Sequence, residues 1–290
     1  MKKQVFFETL YKLSIIFASL LLLLIIIFIF LEGFPALREY GFIKMIFNGE
    51  WQPTAKNPSF GLLYMILSTV VSTILSLLIS IPIGILSSVC LVRMVNAKIK
   101  NIIMFIVEIL AGIPSVIVGF FVLKTVVSFL YDHFYYMVGV SGNSMLAAIF
   151  VLALMSLPTI ITVCVNSLEA VDPMYTEASL GLGANKIQTI YKVELRAARS
   201  GIFAAIVLGA GRVIGETMAV MLVSGNAINL PKNLLEPTRT LTSNIATEMS
   251  YASGLHQNAL YASGIILFIM IMIINIVLLV LLNKGGVDNA

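Results

Sequence analysis

Six apolar blocks, at 13–31, 62–91, 102–123, 145–165, 201–224 and 259–282, leave this 290-residue chain few folds to choose from. The first block carries no charged side chain at all. A helix needs about 20 apolar residues to cross the hydrocarbon core of a bilayer. Only helices and closed barrels satisfy their backbone groups in lipid, and no period-2 alternation of a barrel appears in these blocks. The first block exceeds a signal-peptide core and no small-residue cleavage site follows it, so it reads as a retained span. The expected fold is all-α, a polytopic membrane protein with six transmembrane helices. Charged residues are 11% of the chain, against about 25% in soluble domains, too few to solvate a globular surface.

Basic residues flank the blocks unevenly. With the N-terminus placed in the cytoplasm, Lys2, Lys3, Lys12, Arg93, Lys98, Lys100, Lys186, Lys192, Arg196, Arg199 and Lys284 fall on one side. Arg38, Lys44, Lys56, Lys124, Lys232 and Arg239 fall on the other, so the count is eleven against six. The positive-inside rule then puts both termini and the loop 166–200 in the cytoplasm. These flanking charges account for the net +4, which gives no reason to expect nucleic acid as a partner. Cys90 and Cys164 lie in or at the edge of spans, which argues against a disulfide framework or a metal site.

The economical division is an N-terminal helix with an external loop at 1–59, then a transmembrane domain at 60–283. The external loop holds Pro35, Pro53, Pro58 and the only tryptophan, Trp51, expected as an interface anchor or a lid contact. In the cytoplasmic loop, Asp172-Pro173 starts a helix, Gly181-Leu182-Gly183 breaks it, and Ile187, Ile190, Tyr191 and Val193 space out a second one. Such short helices either rest in lipid headgroups or dock on a partner, and the residues leave both open. The external stretch 238–248 is polar all round, a re-entrant vestibule helix, a contact for a partner protein, or a solvated loop.

Ionisable residues inside spans are functional candidates by default. Arg212 and Glu216 stand four apart in the fifth block and are expected to share a helix face. An Arg at a helix centre costs about 2.5–3.5 kcal/mol on insertion scales, so something must offset it. Either the two form a self-neutralising pair that fixes packing, or they flank an anion path, where Glu216 would moderate the grip of the guanidinium. Ala205, Gly209, Gly211, Gly215 and Ala219 recur mostly at four-residue steps, expected to allow a close subunit interface. Glu108 precedes Gly112 and Pro114, which suits a gate or a structural carboxylate equally. No phosphate-binding Gly-x4-Gly-Lys-Ser/Thr motif and no His-Glu-x2-His motif occurs, and the only histidines, His133 and His256, fall in expected external regions. An enzyme is disfavoured. An ion-coupled transporter would leave the glycine-hinged loop unexplained and shows no inverted repeat.

The spacing Glu177-Ala178-Ser179, then Gly183, then Val193-Glu194-Leu195 resembles the EAA loop of ABC importer permeases. From about 60 to 283 the chain resembles the permeases of phosphate ABC importers, the PstC type more than the PstA type. The resemblance rests on Glu108-Ile109-Leu110-Ala111-Gly112-Ile113-Pro114-Ser115, on Ala197-Ala198-Arg199-Ser200-Gly201-Ile202, on Gly211-Arg212-Val213-Ile214-Gly215-Glu216-Thr217-Met218-Ala219-Val220, and on Arg239-Thr240-Leu241-Thr242-Ser243-Asn244-Ile245-Ala246. One departure is Arg196, where the family's loop usually continues with Pro after Leu195. The resemblance implies a type I ABC importer permease (MetI-like) core in a bacterial or archaeal cytoplasmic membrane. It implies half of a phosphate path, with molybdate or sulfate as the alternative cargo. Its partners would be a homologous permease, two copies of a cytoplasmic ATP-binding subunit and an extracytoplasmic phosphate-binding protein. ATP would be used by the partner subunit, with no cofactor held by this chain. Arg212, Glu216, Glu108 and Asn244 become path or gate candidates; Glu177, Ala178, Gly183 and Leu195 become the ATPase coupling loop.

Overall fold

The computed structural model describes the backbone of residues 2–138 and 141–287, and side chains for 7–135, 141–277 and 280. Lys2, Lys3 and Lys284, counted above for topology, lie outside those side chains, as does the end of block 259–282. The chain opens with α1 (Lys2–Ala36), a π-helical turn at Leu37–Gly41, and α2 (Phe42–Phe47). A short antiparallel hairpin follows, β1 (Trp51–Gln52) on β2 (Ser59–Phe60), and then α3 (Leu63–Arg93). Next come α4 (Ala97–Gly112), α5 (Ser115–Val122), a second π turn (Leu123–Val127), α6 (Ser128–Val138) and α7 (Met145–Glu169). The loop after α7 folds as α8 (Pro173–Gly181), α9 (Lys186–Thr189), a third π turn (Ile190–Glu194) and α10 (Leu195–Ala197). The chain ends with α11 (Arg199–Gly215), α12 (Met218–Val223), α13 (Leu241–Glu248) and α14 (Leu255–Val287).

Five segments are long and apolar enough to cross a bilayer unaided: Phe7–Phe47, Leu63–Arg93, Ser115–Tyr135, Met145–Glu169 and Leu255–Val277. A sixth appears only in bent form, Lys186–Ala197 joined to Arg199–Gly215 at 69°. Two expectations change here. The third span was expected at 102–123, but the helix stops at Gly112 and restarts at Ser115. Ile113 is extended (φ −67°, ψ 130°) because the ring of Pro114 excludes helical geometry from the residue before it. The long apolar segment therefore begins beyond the break. The fifth span was expected to be continuous over 201–224, and it also breaks, at Glu216.

The first helix, α1, lies along the last, α14. Gly33 allows this approach: a Cβ there would sit 2.6 Å from Ile265 Cδ1 and 2.9 Å from the Ala262 amide nitrogen. Edge-on aromatic contacts, Phe28 with Tyr261 at 5.5 Å and Phe30 with Phe268 at 6.5 Å, extend the seam.

The central seam pairs α3 with α7. On α3, Ser68, Ser72, Ser76, Ser80, Gly84 and Ser88 recur every fourth residue, and all are buried. Small residues at this step let helix backbones close together. A Cβ on Gly84 would come within 2.6 Å of Ile160 of α7. Several hydroxyls return to their own helix, Ser72 to the Ser68 carbonyl at 2.6 Å and Ser88 to the Gly84 carbonyl at 2.7 Å. Ser72 is thereby satisfied within its own helix, while Ser88 also reaches across the seam to the Ile161 carbonyl of α7 at 3.2 Å.

Trp51 does not face a membrane interface as an anchor, because it is buried within the protein. It is 2% exposed, packs edge-on against Phe60 at 5.9 Å, and belongs to a core cluster with Met45, Leu62, Leu241 and Leu260. The 238–248 stretch is likewise no solvated loop. Its helix, α13, buries Leu241, Thr242, Ser243, Asn244 and Glu248.

Candidate functional site

Arg212 lies in the last turn of α11, half-buried, and donates from Nη1 to Thr159 Oγ1 of α7 at 3.3 Å. No ion pair to Arg212 occurs among the described residues. Glu216 does not share its helix face, contrary to expectation. It is extended (φ −69°, ψ 128°), ends α11, and turns its Oε1 to accept the Ala219 amide at 3.1 Å, so its carboxylate caps α12. A carboxylate at a helix start satisfies free amides and meets the positive end of the dipole, a local pull that competes with a distant guanidinium.

The glycine stripe divides in two. Gly209 packs inward, where a Cβ would meet Ile160 at 2.9 Å, and Ala219 lies 2.8 Å from a Cβ placed on Gly119. Ala205 and Ala219 are fully buried within this chain. Gly211 and Gly215 instead have nothing within 4 Å of an added Cβ. Thus only Gly211 and Gly215, beside Arg212, keep an open face; the other three serve the internal core.

Glu108 sits on α4, exposed, with no hydrogen bond among the described residues. The structure does not bring it to Arg212. Asn244 is fully buried in α13; its Oδ1 accepts from Arg239 Nη1 at 3.0 Å, while its Nδ2 has no partner. Arg239 also donates to Glu248 Oε1 at 2.6 Å and, from Nε, to the Asn226 carbonyl at 2.9 Å. Glu248 Oε2 takes Trp51 Nε1 and His256 Nε2, each at 2.9 Å. One buried carboxylate thus gathers donors from three separate segments.

The loop between α7 and α11 builds as its sequence indicates. Asp172 caps α8 by accepting the Met174 amide at 2.9 Å, with Pro173 in the first turn. Gly183 turns the chain at φ +86°, a region that L side chains rarely enter. Asn185 and Gln188 then form a capping box for α9. Glu177 and Ala178 are exposed, and Leu195 is half-buried. Met174, Tyr175, Leu180, Ile187 and Tyr191 leave an apolar surface around Leu182, which is 90% exposed.

Sequence reasoning missed how this loop is held. Glu194 is 1% exposed and accepts Arg93 Nε of α3 at 2.7 Å and Thr176 Oγ1 of α8 at 2.7 Å. Arg93 Nη2 adds a bond to the Leu168 carbonyl at 3.3 Å, and Ser179 bonds Thr189 at 3.0 Å. The signal was present: Glu194 falls one turn after the apolar Ile190, so both occupy the face that packs inward.

The chain as a whole is similar to known proteins. Residues 80–284 match the family model of the binding-protein-dependent transport system inner membrane component. The chain is 31% identical over 250 residues to the probable ABC transporter permease protein YqgH of Bacillus subtilis, covering 85% of this chain and 80% of that protein. It is 30% identical over 271 residues to the phosphate transport system permease protein PstC of Pasteurella multocida, covering 88% and 84%. Among solved structures, a bacterial alginate ABC transporter in complex with an alginate-pentasaccharide-bound periplasmic protein superimposes with a TM-score of 0.62 at 18% identity, covering 91% of this chain and 92% of the other. The MetNI methionine ABC transporter, in an inward-facing conformation, gives 0.56 at 22% identity, covering 78% and 94%. At those identities the likeness concerns the fold alone, and it agrees with the bundle described above. With a family match over most of its length, this chain belongs to the binding-protein-dependent transport system inner membrane component family, as a permease with the type I ABC importer core.

Proposed function

We propose that this chain is one permease of an ATP-driven phosphate importer and forms half of the translocation path. The observation that carries the reading is the state of Arg212. Its guanidinium lies within an apolar span, is half-buried against Thr159 of α7, and has no acidic partner among the described residues. A charge held so is costly unless water or a passing anion reaches it. Guanidinium suits a tetrahedral oxyanion through paired N–H donors. The absence of an Arg212–Glu216 pair favours this over a purely packing role. Phosphate as the cargo is supported by relatives named phosphate transport system permeases.

In this reading both termini and the α8–α10 loop are cytoplasmic, and the apolar surface around Leu182 is covered by an ATP-binding subunit, present in two copies. A homologous permease supplies the other half of the path. An extracytoplasmic phosphate-binding protein delivers the anion. ATP is used by the partner, and this chain holds no cofactor and no ATPase site. Glu108 and Asn244 are further gate candidates, and Glu177, Ala178, Gly183 and Leu195 belong to the docking surface.

The test is uptake of labelled phosphate by the full complex in liposomes loaded with ATP. ATP-dependent uptake that excess sulfate or molybdate leaves intact is expected. Competition by either anion would move the assignment to that oxyanion, and uptake driven by an ion gradient without ATP would sink the reading. For the loop, Gly183→Val forces a β-branched residue to φ +86°, a strain of about 1–2 kcal/mol with no steric clash to add to it. The variant is expected to assemble while uptake falls severalfold relative to ATP hydrolysed. An unchanged ratio of uptake to hydrolysis would show that the turn does not couple the two.

A further inference from the structure

Glu216 separates α11 from α12, and its backbone carbonyl lies at a helix end, where such groups lose their intrahelical partners. That carbonyl accepts the hydroxyl of Thr242, from α13, at 3.0 Å. Thr242 is 7% exposed, and polar bonds secure α13 and the residues leading into it at two further places, on α3 and at the far end of the helix. The Leu241 amide donates to Thr69 Oγ1 of α3 at 3.1 Å, and Thr238 Oγ1 donates to Ser68 Oγ at 2.6 Å. At its far end α13 carries Glu248, held by Arg239, Trp51 and His256. A helix this short, about 10 Å between its ends, is too small to be stable alone, and so these bonds fix it.

We infer that Thr242 is a positioning residue for anion passage: through the Glu216 carbonyl, α13 holds the break between α11 and α12, and so sets where the Glu216 carboxylate and the neighbouring Arg212 stand. The Glu248 cluster is the fixed end of this strut. The inference rests on the reading that Arg212 and Glu216 flank the path.

The experiment compares Thr242→Val, Thr242→Ser and Arg212→Gln in the complete transporter in liposomes, following phosphate uptake and amide hydrogen exchange of the segment 212–219. Thr242→Val keeps the shape, deletes the donor and orphans a carbonyl. It is expected to raise exchange around Glu216 about tenfold and to lower the maximal uptake rate severalfold, with the half-saturating phosphate concentration unchanged. Thr242→Ser retains the donor and should restore both readouts. Thr242→Ala, which removes the same hydroxyl with less bulk, carries the test if the Val variant does not assemble. Unchanged exchange in the hydroxyl-less variant overturns the strut, whatever happens to uptake. Raised exchange with normal uptake also overturns it, since the break would be held for no purpose in transport. Full uptake by Arg212→Gln overturns the path reading itself, a result that Thr242 variants cannot produce.

Discussion

Arg212→Gln is expected to cut phosphate uptake by roughly 10- to 100-fold while the complex assembles and hydrolyses ATP. The estimate follows from a charge-assisted hydrogen bond, about 1.5–3 kcal/mol, lost at a passing anion. Gln keeps a polar head but is two bonds shorter, so the long 3.3 Å bond to Thr159 is given up as well, a loss of about 0.5–1.5 kcal/mol that the packing should tolerate. The charge itself supports nothing else in the fold, because no carboxylate answers it among the described residues. Abundance and ATPase activity serve as controls alongside uptake. Loss of all three would make Arg212 a structural residue and send the search for the path toward Glu108 and Asn244. Glu216→Gln should lower uptake as well, yet keep the cap on Ala219, since the amide oxygen still accepts.

The second large effect is expected at the other end of the machine. Arg93→Leu strips Glu194 of its charged donor while its side chain remains 2% exposed. Breaking a buried pair from one side costs about 3–5 kcal/mol. The lower end applies here, because the Arg93 side chain is 26% exposed and water screens part of the interaction. The Thr176 bond stays, but α8 loses its tie to α3. Copurification of the ATPase subunit should weaken and uptake should drop at least tenfold. Replacing both residues together, Arg93→Leu with Glu194→Leu, removes the stranded charge and should recover part of the assembly. Normal copurification and uptake in Arg93→Leu would show that the ion pair is dispensable to the loop.

Most of the fold was readable in the apolar blocks, since a bilayer imposes length and backbone satisfaction on any span. The helix start at Asp172-Pro173 and the turn at Gly183 were readable too, because each is decided within a few residues. What escaped were features settled between segments. Arg212 and Glu216 looked like a pair by spacing alone, but the helix opens between them and each finds a nearer partner, Thr159 and the Ala219 amide. Trp51 looked like a boundary residue because nothing local announces Glu248, distant in sequence, as the acceptor for its indole. The break at Ile113-Pro114 was visible as a proline, but its effect exceeded a kink, since the preceding residue left helical geometry altogether. The α13 segment misled by polarity. Its hydroxyls and carboxylate are spent on partners inside the protein, which hydropathy cannot distinguish from contact with water.

One helix is bonded to both α13 and the loop between α7 and α11. At its first turns α3 offers Ser68 and Thr69 to the segment that braces the Glu216 break, and at its last residue it offers Arg93 to Glu194 in that loop. Between these points the four-residue ladder of serines and Gly84 clasps it to α7. A member so clasped behaves as a tie rod, stiff along its axis across the whole bilayer. A tug applied where nucleotide is spent would arrive on the opposite leaflet as displacement rather than dissipating as strain.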